Sequence, residues 1–254
     1  MNIELSISSD DIQLVKGFVA EQSGNSLVCD RKLRNLGDQK LPVDRERFWR
    51  ALVCMRLTSR QKSGPGSAVA KLSVAKPFPL SVEAMHANKH QLKGFVLSTL
   101  VAVPGMRDYN VASDQFAKNF ELLEAEDWQE TLSKCNQLTI LATPLEERAI
   151  ARYIASKFHG NGIGPKQARN ILQALGLTRY EIPLDSRGIK WLRERLDFPF
   201  PVSGTLLADP EYYEFVLDKI QDLCRKCDEF PCMLDAAIFA ENDPDNWTPE
   251  MLRY

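Results

Sequence analysis

The stretch from Gly162 to Arg187 reads GIGPKQARNILQALGLTRYEIPLDSR. Gly162-Ile163-Gly164-Pro165 is a tight turn that starts a helix, and Lys166 sits on the first turn of that helix. The helix is expected to run to about Leu175 and to stop at Gly176, a residue that suits the left-handed position past a helix end. The chain then goes extended through Ile182-Pro183, and Asp185 stands 19 residues after Lys166. A further helix is expected from Arg187 to Arg195.

Working outward from this stretch, Thr143-Pro144-Leu145-Glu146-Glu147 is a strong helix start: a capping Thr, Pro at the first position and Glu at the third. Its helix is expected to reach about Phe158, so the glycine turn lies between two helices. Charge is concentrated in the same place. Ala151–Arg195 holds nine Lys or Arg against three Asp or Glu, so this segment carries +6 and the rest of the chain −8, within a net charge of −2. A basic segment in an otherwise acidic chain is what a phosphate-binding face needs, although a solvated helical surface has the same composition.

These residues resemble the helix-hairpin-helix DNA glycosylases, in particular the 8-oxoguanine glycosylase branch and its archaeal members. The resemblance rests on the Gly162-Ile163-Gly164 hairpin, on Lys166 two residues after its last glycine, and on Asp185 in Ile-Pro-Leu-Asp 19 residues later. It extends from about Phe48 to Phe239. One departure is Gly160-Asn161, where the family usually has Leu-Pro before the hairpin. The resemblance implies a mainly α fold, with two helical lobes and a DNA cleft between them. It implies catalytic roles for Lys166 and Asp185 and strand contacts from Gly162, Ile163, Gly164 and Lys166.

The rest of the chain is read against this centre. Residues 1–42 carry no identifiable chemistry: Asp10–Glu21 is a short helix capped by Ser9 or Asp10, and Gly24–Pro42 is polar and irregular. Residues 43–254 form the expected glycosylase core, with the hairpin at about 160–166. Val43–Leu57 is a helix that Asp44 can cap, with Phe48, Leu52 and Met55 at helical spacing. Thr58–Gly66 breaks it, and another helix starts near Ser67. In the family, the loop after the matching helix fills the gap left by a flipped base. By position Arg60 and Gln61 would do so here, unless this is an ordinary polar loop.

Val82–Ala142 reads as several helices, among them Asp114–Glu124 and Asp127–Lys134, while the apolar run Phe95–Val103 has too little period to type. Asp209-Pro210 starts a helix that continues through Ile220. On a last helix, Pro231–Glu241, Asp235 and Phe239 are four apart and share a face. The family has a polar residue and an aromatic at this spacing lining the base pocket. A surface Asp beside a core Phe would look the same.

No metal or cofactor is expected. His86 and His90 have ligand spacing, but no carboxylate or cysteine cluster surrounds them in sequence, which fits surface or capping histidines. Cys224, Cys227 and Cys232 are spaced Cys-x2-Cys-x4-Cys. Some related glycosylases hold an iron–sulfur cluster near this point. Such clusters and structural zinc want four ligands, so buried free thiols are expected. Six cysteines at irregular spacing, an acidic N-terminus without an apolar segment, and no run of eighteen apolar residues fit a reduced cytoplasmic protein without a membrane span.

The function expected is therefore that of a bifunctional DNA glycosylase with lyase activity. It would be a monomer acting on double-stranded DNA at the nucleoid of a prokaryotic-type cell, and would excise 8-oxoguanine. A glycosylase for another modified purine and a non-catalytic helix-hairpin-helix DNA-binding module are the alternatives. The pair Lys166 and Asp185 weighs against the second, because a pure binder has no need of it.

Overall fold

A computed structural model of the chain describes residues 6–125, 128–140, 142–243, 247, 248 and 251. Among these it is mainly helical, with no strand. The α-helices are α1 Ser9–Glu21, α2 Ser26–Arg31, α3 Arg45–Leu57, α4 Ala68–Val74, α5 Val82–Ala87, α6 Leu92–Val101, α7 Tyr109–Ala125, α8 Trp128–Gln137, α9 Pro144–Lys157, α10 Pro165–Ala174, α11 Ser186–Glu194, α12 Pro210–Lys226 and α13 Pro231–Asn242. Asp127, the expected first residue of a helix, and residues 1–5 lie outside the described residues.

Most helices begin where a side chain satisfies the first free N–H groups. Asp44 accepts from the Arg47 N–H at 2.8 Å and Asp209 from the Tyr212 N–H at 2.8 Å. Thr143 and Glu146 form a reciprocal capping box at the start of α9. The cap of α1 is Ser8 rather than Ser9 or Asp10, because Asp11 reaches back to the Ser8 N–H and closes the same box. The untyped apolar run is helix α6, packed along α7.

Gly24–Pro42 is not irregular throughout. Asn25 caps the short helix α2 by accepting from Leu27 N–H at 2.9 Å, and one π turn, Lys32–Leu36, follows. Six residues are too few to show a helical period. What holds them is Leu27 and Val28, buried against α13.

The buried apolar residues fall into two clusters. One takes residues 43–177 and centres on Phe48, Trp49, Phe116, Phe120 and Trp128. The other joins residues 15–28 to residues 182–247 and centres on Trp191, Tyr213 and α13. The chain passes from the first to the second through Thr178–Glu181. That extended crossing has no helical hydrogen bonds, and a buried carboxylate replaces them. Glu147 of α9 accepts from the N–H groups of Arg179, Tyr180 and Glu181 at 2.8, 2.8 and 3.0 Å. Burial pushes the Glu147 carboxyl up to about 7, against the pull of these three donors. Among the described residues, no helix is long and apolar enough to cross a membrane.

Candidate functional site

A cavity of about 1050 Å³ is lined from both clusters. Lys166, Asn170 and Gln173 reach it from α10, Asp185 and Arg187 from the start of α11, and Asp235 and Phe239 from α13. Three residues that the sequence separates by as much as 69 positions, Lys166, Asp185 and Asp235, thus share one enclosure.

The glycine turn sets the position of α10. Gly162 has φ +84°, a left-handed conformation that favours glycine. A Cβ there would also lie 2.4 Å from both Arg56 Nε and Gln115 Oε1. Arg56 donates to Gln115 at 2.6 Å and pairs with Asp108 at 2.9 Å, so this wall is firm. Asn119 of α7 holds the Asn161 carbonyl at 3.1 Å, and Ile163 is buried in the first core. Gly160-Asn161 therefore anchors the turn through a backbone carbonyl. The N–H groups of Gly162, Ile163 and Gly164 donate to no acceptor among the described residues.

Lys166, on the first turn of α10, makes no hydrogen bond and no ion pair among the described residues. Burial lowers its pKa, and Arg187 adds to that, while Asp185 and Asp235 oppose it. The helix dipole also disfavours a positive charge at this end.

Asp185 is the N-cap of α11. Its Oδ1 accepts from the N–H of Arg187 at 2.9 Å and of Gly188 at 3.1 Å. Its Oδ2 accepts from Arg187 Nε and Nη2 at 2.8 and 2.6 Å. Burial alone would raise this carboxyl. The charge and hydrogen bonds of Arg187 outweigh it, so the pKa is lowered and Asp185 is ionised. The Arg187 guanidinium also lies 3.7 Å from the centre of the Phe239 ring. Arg187 therefore covers one face of the Phe239 ring.

Asp235 uses one oxygen for support and leaves the other free. Its Oδ2 accepts from Arg31 Nη1 at 3.0 Å and Gln173 Nε2 at 2.7 Å. Its Oδ1 has no partner among the described residues. Burial raises its pKa, and Arg31 opposes that.

Gln61 borders the cavity, but its side chain is tied down. It donates to Leu57 O at 2.9 Å, touches Met106 Sδ at 3.2 Å, and accepts from Arg107 N–H at 2.9 Å. In this conformation it joins two loops instead of projecting as a wedge. Arg60 closes a 3-10 turn, Thr58–Arg60; its side chain lies outside the described residues. The basic segment is largely neutralised within the fold. Arg152, Arg169, Arg187, Lys190 and Arg195 are ion-paired, and Arg179 is buried against the Asn35 and Leu36 carbonyls.

The other candidates stay apart from this site. His86 lies 3.4 Å from Glu124 and edge-on to Phe120. Cys224, Cys227 and Cys232 are buried free thiols, and the described residues contain no metal-binding cluster.

Sequence reasoning did not single out Arg31, Asn170, Gln173, Arg187 or Tyr213. Asn170 and Gln173 carried a usable signal, since they follow Lys166 by four and seven residues along one helix face. Arg31 and Tyr213 carried none, because only the packing of distant segments brings them in. The buried Tyr213 hydroxyl accepts from Leu184 N–H at 2.6 Å and donates to Ile182 O at 3.1 Å, which fixes the backbone leading into Asp185.

No family model, curated protein or solved structure matches the chain.

Proposed function

We propose that the protein is a DNA glycosylase with lyase activity that excises an oxidised guanine through a Schiff base on Lys166. The observation that carries the proposal is the unpaired Lys166 amine sharing one cavity with ionised Asp185 and with a free oxygen of Asp235. On this reading the two cores are the two lobes of a helix-hairpin-helix glycosylase and the duplex binds across the cavity mouth, with one monomer per lesion.

The chemistry follows from the residues. A base inside a duplex is unreachable, so it must be flipped out at a cost of ~a few kcal/mol. The N–H groups of Gly162–Gly164 and the N-terminus of α10 hold a phosphate, which positions the strand without reading sequence. As the C1′–N9 bond breaks, its electron pair leaves with the base and positive charge builds on the sugar. The Asp185 carboxylate stabilises that charge. Neutral Lys166 attacks C1′ and loses a proton; the C1′–O4′ bond then breaks, the sugar ring opens with O4′ taking up a proton as a hydroxyl, and the amine nitrogen becomes the C1′=N imine. Loss of a C2′ proton from the imine then expels the 3′ phosphate.

Guanine is chosen by the ionised form of Asp235, in which the free Oδ1 accepts hydrogen bonds and fits the adjacent N1–H and N2 amino donors. Adenine lacks that pair, and uracil and thymine flank a single N3–H with carbonyl oxygens. Phe239 stacks on the base once Arg187 has left its face, a contact worth ~1–3 kcal/mol.

Borohydride reduction during turnover tests the proposal. The wild type should be trapped as a covalent adduct with 8-oxoguanine DNA, and Lys166→Gln should not. An undiminished adduct in the variant would assign the imine to another amine. No adduct in the wild type, together with DNA binding, would favour a non-catalytic DNA-binding module.

A further inference from the structure

Residues 25–40 show no chemistry in sequence, yet they brace the end of the cavity where Asp235 stands. The last carbonyls of a helix need donors, and this segment supplies them to α10. Arg34 donates to Ala174 O at 2.6 Å, Asn35 to Thr178 O at 2.7 Å and Lys40 to Leu177 O at 2.9 Å. On its other side, α2 buries Leu27 and Val28 against α13. Arg31, the last residue of α2, is thereby set between α10 and α13 and lines the cavity.

Arg31 Nη1 donates to Asp235 Oδ2 at 3.0 Å, with both side chains largely buried. Among the described residues this is the one hydrogen bond of the Arg31 side chain, and its Nε is buried without a partner. Arg148, by contrast, bridges Glu181 and Asp218. The charge of Arg31 is thus committed to Asp235 alone.

The other groups around Asp235 cannot replace that charge. Gln173 of α10 donates to the same Oδ2 at 2.7 Å but is uncharged. Asp185, at the start of α11, is ionised and opposes a second carboxylate. Arg34 and Arg187 are taken up by Asp30 and Asp185. Tyr213 of α12 and Cys232, three residues back on α13, are held neutral by burial. Lys166 of α10 is the remaining cation, and its amine must be neutral to attack the sugar. A carboxylate that relied on Lys166 would keep that amine protonated. One that relied on no cation would itself take up a proton in this buried position.

We infer that Arg31 is a positioning residue for base selection, holding Asp235 as a carboxylate with Oδ1 turned to the flipped base. This rests on the glycosylase reading above. Both supporting donors take Oδ2, which leaves Oδ1 to accept from N1–H and N2 of guanine. A protonated Asp235 would carry a donor of its own against those donors. Arg31 lets Asp235 stay charged while Lys166 is neutral.

The test follows single-turnover excision of 8-oxoguanine and borohydride trapping on abasic-site DNA, each against pH. Both need neutral Lys166, so the ratio of the two rates cancels its titration. Abasic DNA has no base for Asp235 to hold. In Arg31→Met the ratio should begin to fall about one pH unit or more above the wild type, the scale of removing a contacting opposite charge. It should recover on the alkaline side, and Arg31→Lys should restore the wild-type profile. An unshifted profile in Arg31→Met would overturn the role of Arg31. An equal loss of excision and trapping at every pH would mark a structural brace and overturn it too. If Arg31→Met does not fold, the wild type still decides. The carboxyl carbon resonance of Asp235, assigned with Asp235→Asn, should report a carboxylate at neutral pH, and a protonated group there would overturn the inference. A wild type that traps abasic DNA yet releases no 8-oxoguanine would sink the glycosylase reading and this inference with it.

Discussion

Two basic residues three positions apart on α10 have opposite surroundings. Arg169 is 1% exposed and ion-paired, although its Nη2, 2.6 Å from Glu181, makes no hydrogen bond. It donates to Glu181 at 2.6 Å and to Pro165 O at 3.1 Å, and lies 4.5 Å over the Tyr213 ring. Glu181 is shared with Arg148 at 3.0 Å, so the charges on that side of the helix are neutralised where they are buried. Lys166, on the cavity side, is half-buried with no ion pair or hydrogen bond among the described residues. A buried charge persists when it is paired; an unpaired one is driven towards its neutral form. The same helix thus carries a paired, structural cation on one side and an unpaired amine in the cavity on the other.

The largest expected effect breaks the paired side. Arg169→Met takes from buried Glu181 one of its two arginines, leaving Arg148 at 3.0 Å, and should cost about 3 kcal/mol of unfolding free energy. Lys166→Gln, by contrast, should change stability by less than about 0.5 kcal/mol while abolishing the trapped adduct. Denaturant unfolding of both variants measures the contrast. If both lost equal stability, Lys166 would be a structural residue and the distinction would fail.

Next in size is Asp185→Asn. The amide oxygen can still cap α11, so the fold should hold. Excision should fall by about 100-fold, the scale of losing a strong electrostatic contribution in the transition state. A fall of less than tenfold, in single-turnover assays, would leave Asp185 as a cap alone. Tyr213→Phe should be smaller. It leaves Leu184 N–H and Ile182 O unsatisfied in the interior, for about 1–3 kcal/mol of stability. Excision should weaken along with it, since these atoms set the approach to Asp185.

The smallest effect concerns pH. The neutral amine is the reactive form, so adduct formation should rise with pH to a plateau, with a midpoint below the ordinary lysine value of 10.5. Arg187 contributes positive charge that helps lower it. Arg187→Ala should therefore move the midpoint up, slowing trapping at neutral pH by less than about tenfold. A midpoint that stayed put would remove Arg187 from the electrostatics of the site.

Local chemistry made much of this legible beforehand. Asp44, Thr143-Pro144 and Asp209-Pro210 cap the helices they were expected to cap, because a cap is a contact between residues two or three apart. Gly162 and Gly176 occupy left-handed positions, at φ +84° and +78°, for the same local reason. The helix after the Gly162–Gly164 turn and the pair Asp235 and Phe239 on one helix face were equally a matter of short-range spacing.

The tertiary structure alone decided the rest. No spacing rule brings Arg31 to Asp235, 204 residues away, or lays Arg187 across the ring of Phe239. The basic content of Ala151–Arg195 suggested a bare cationic face, yet burial and ion pairing neutralise most of it, since composition counts charges without their partners. Short-range contacts act wherever the chain carries the right residues. Which charge stays unpaired depends on how the two cores meet, and that is how Lys166 and not Arg169 came to face the cavity.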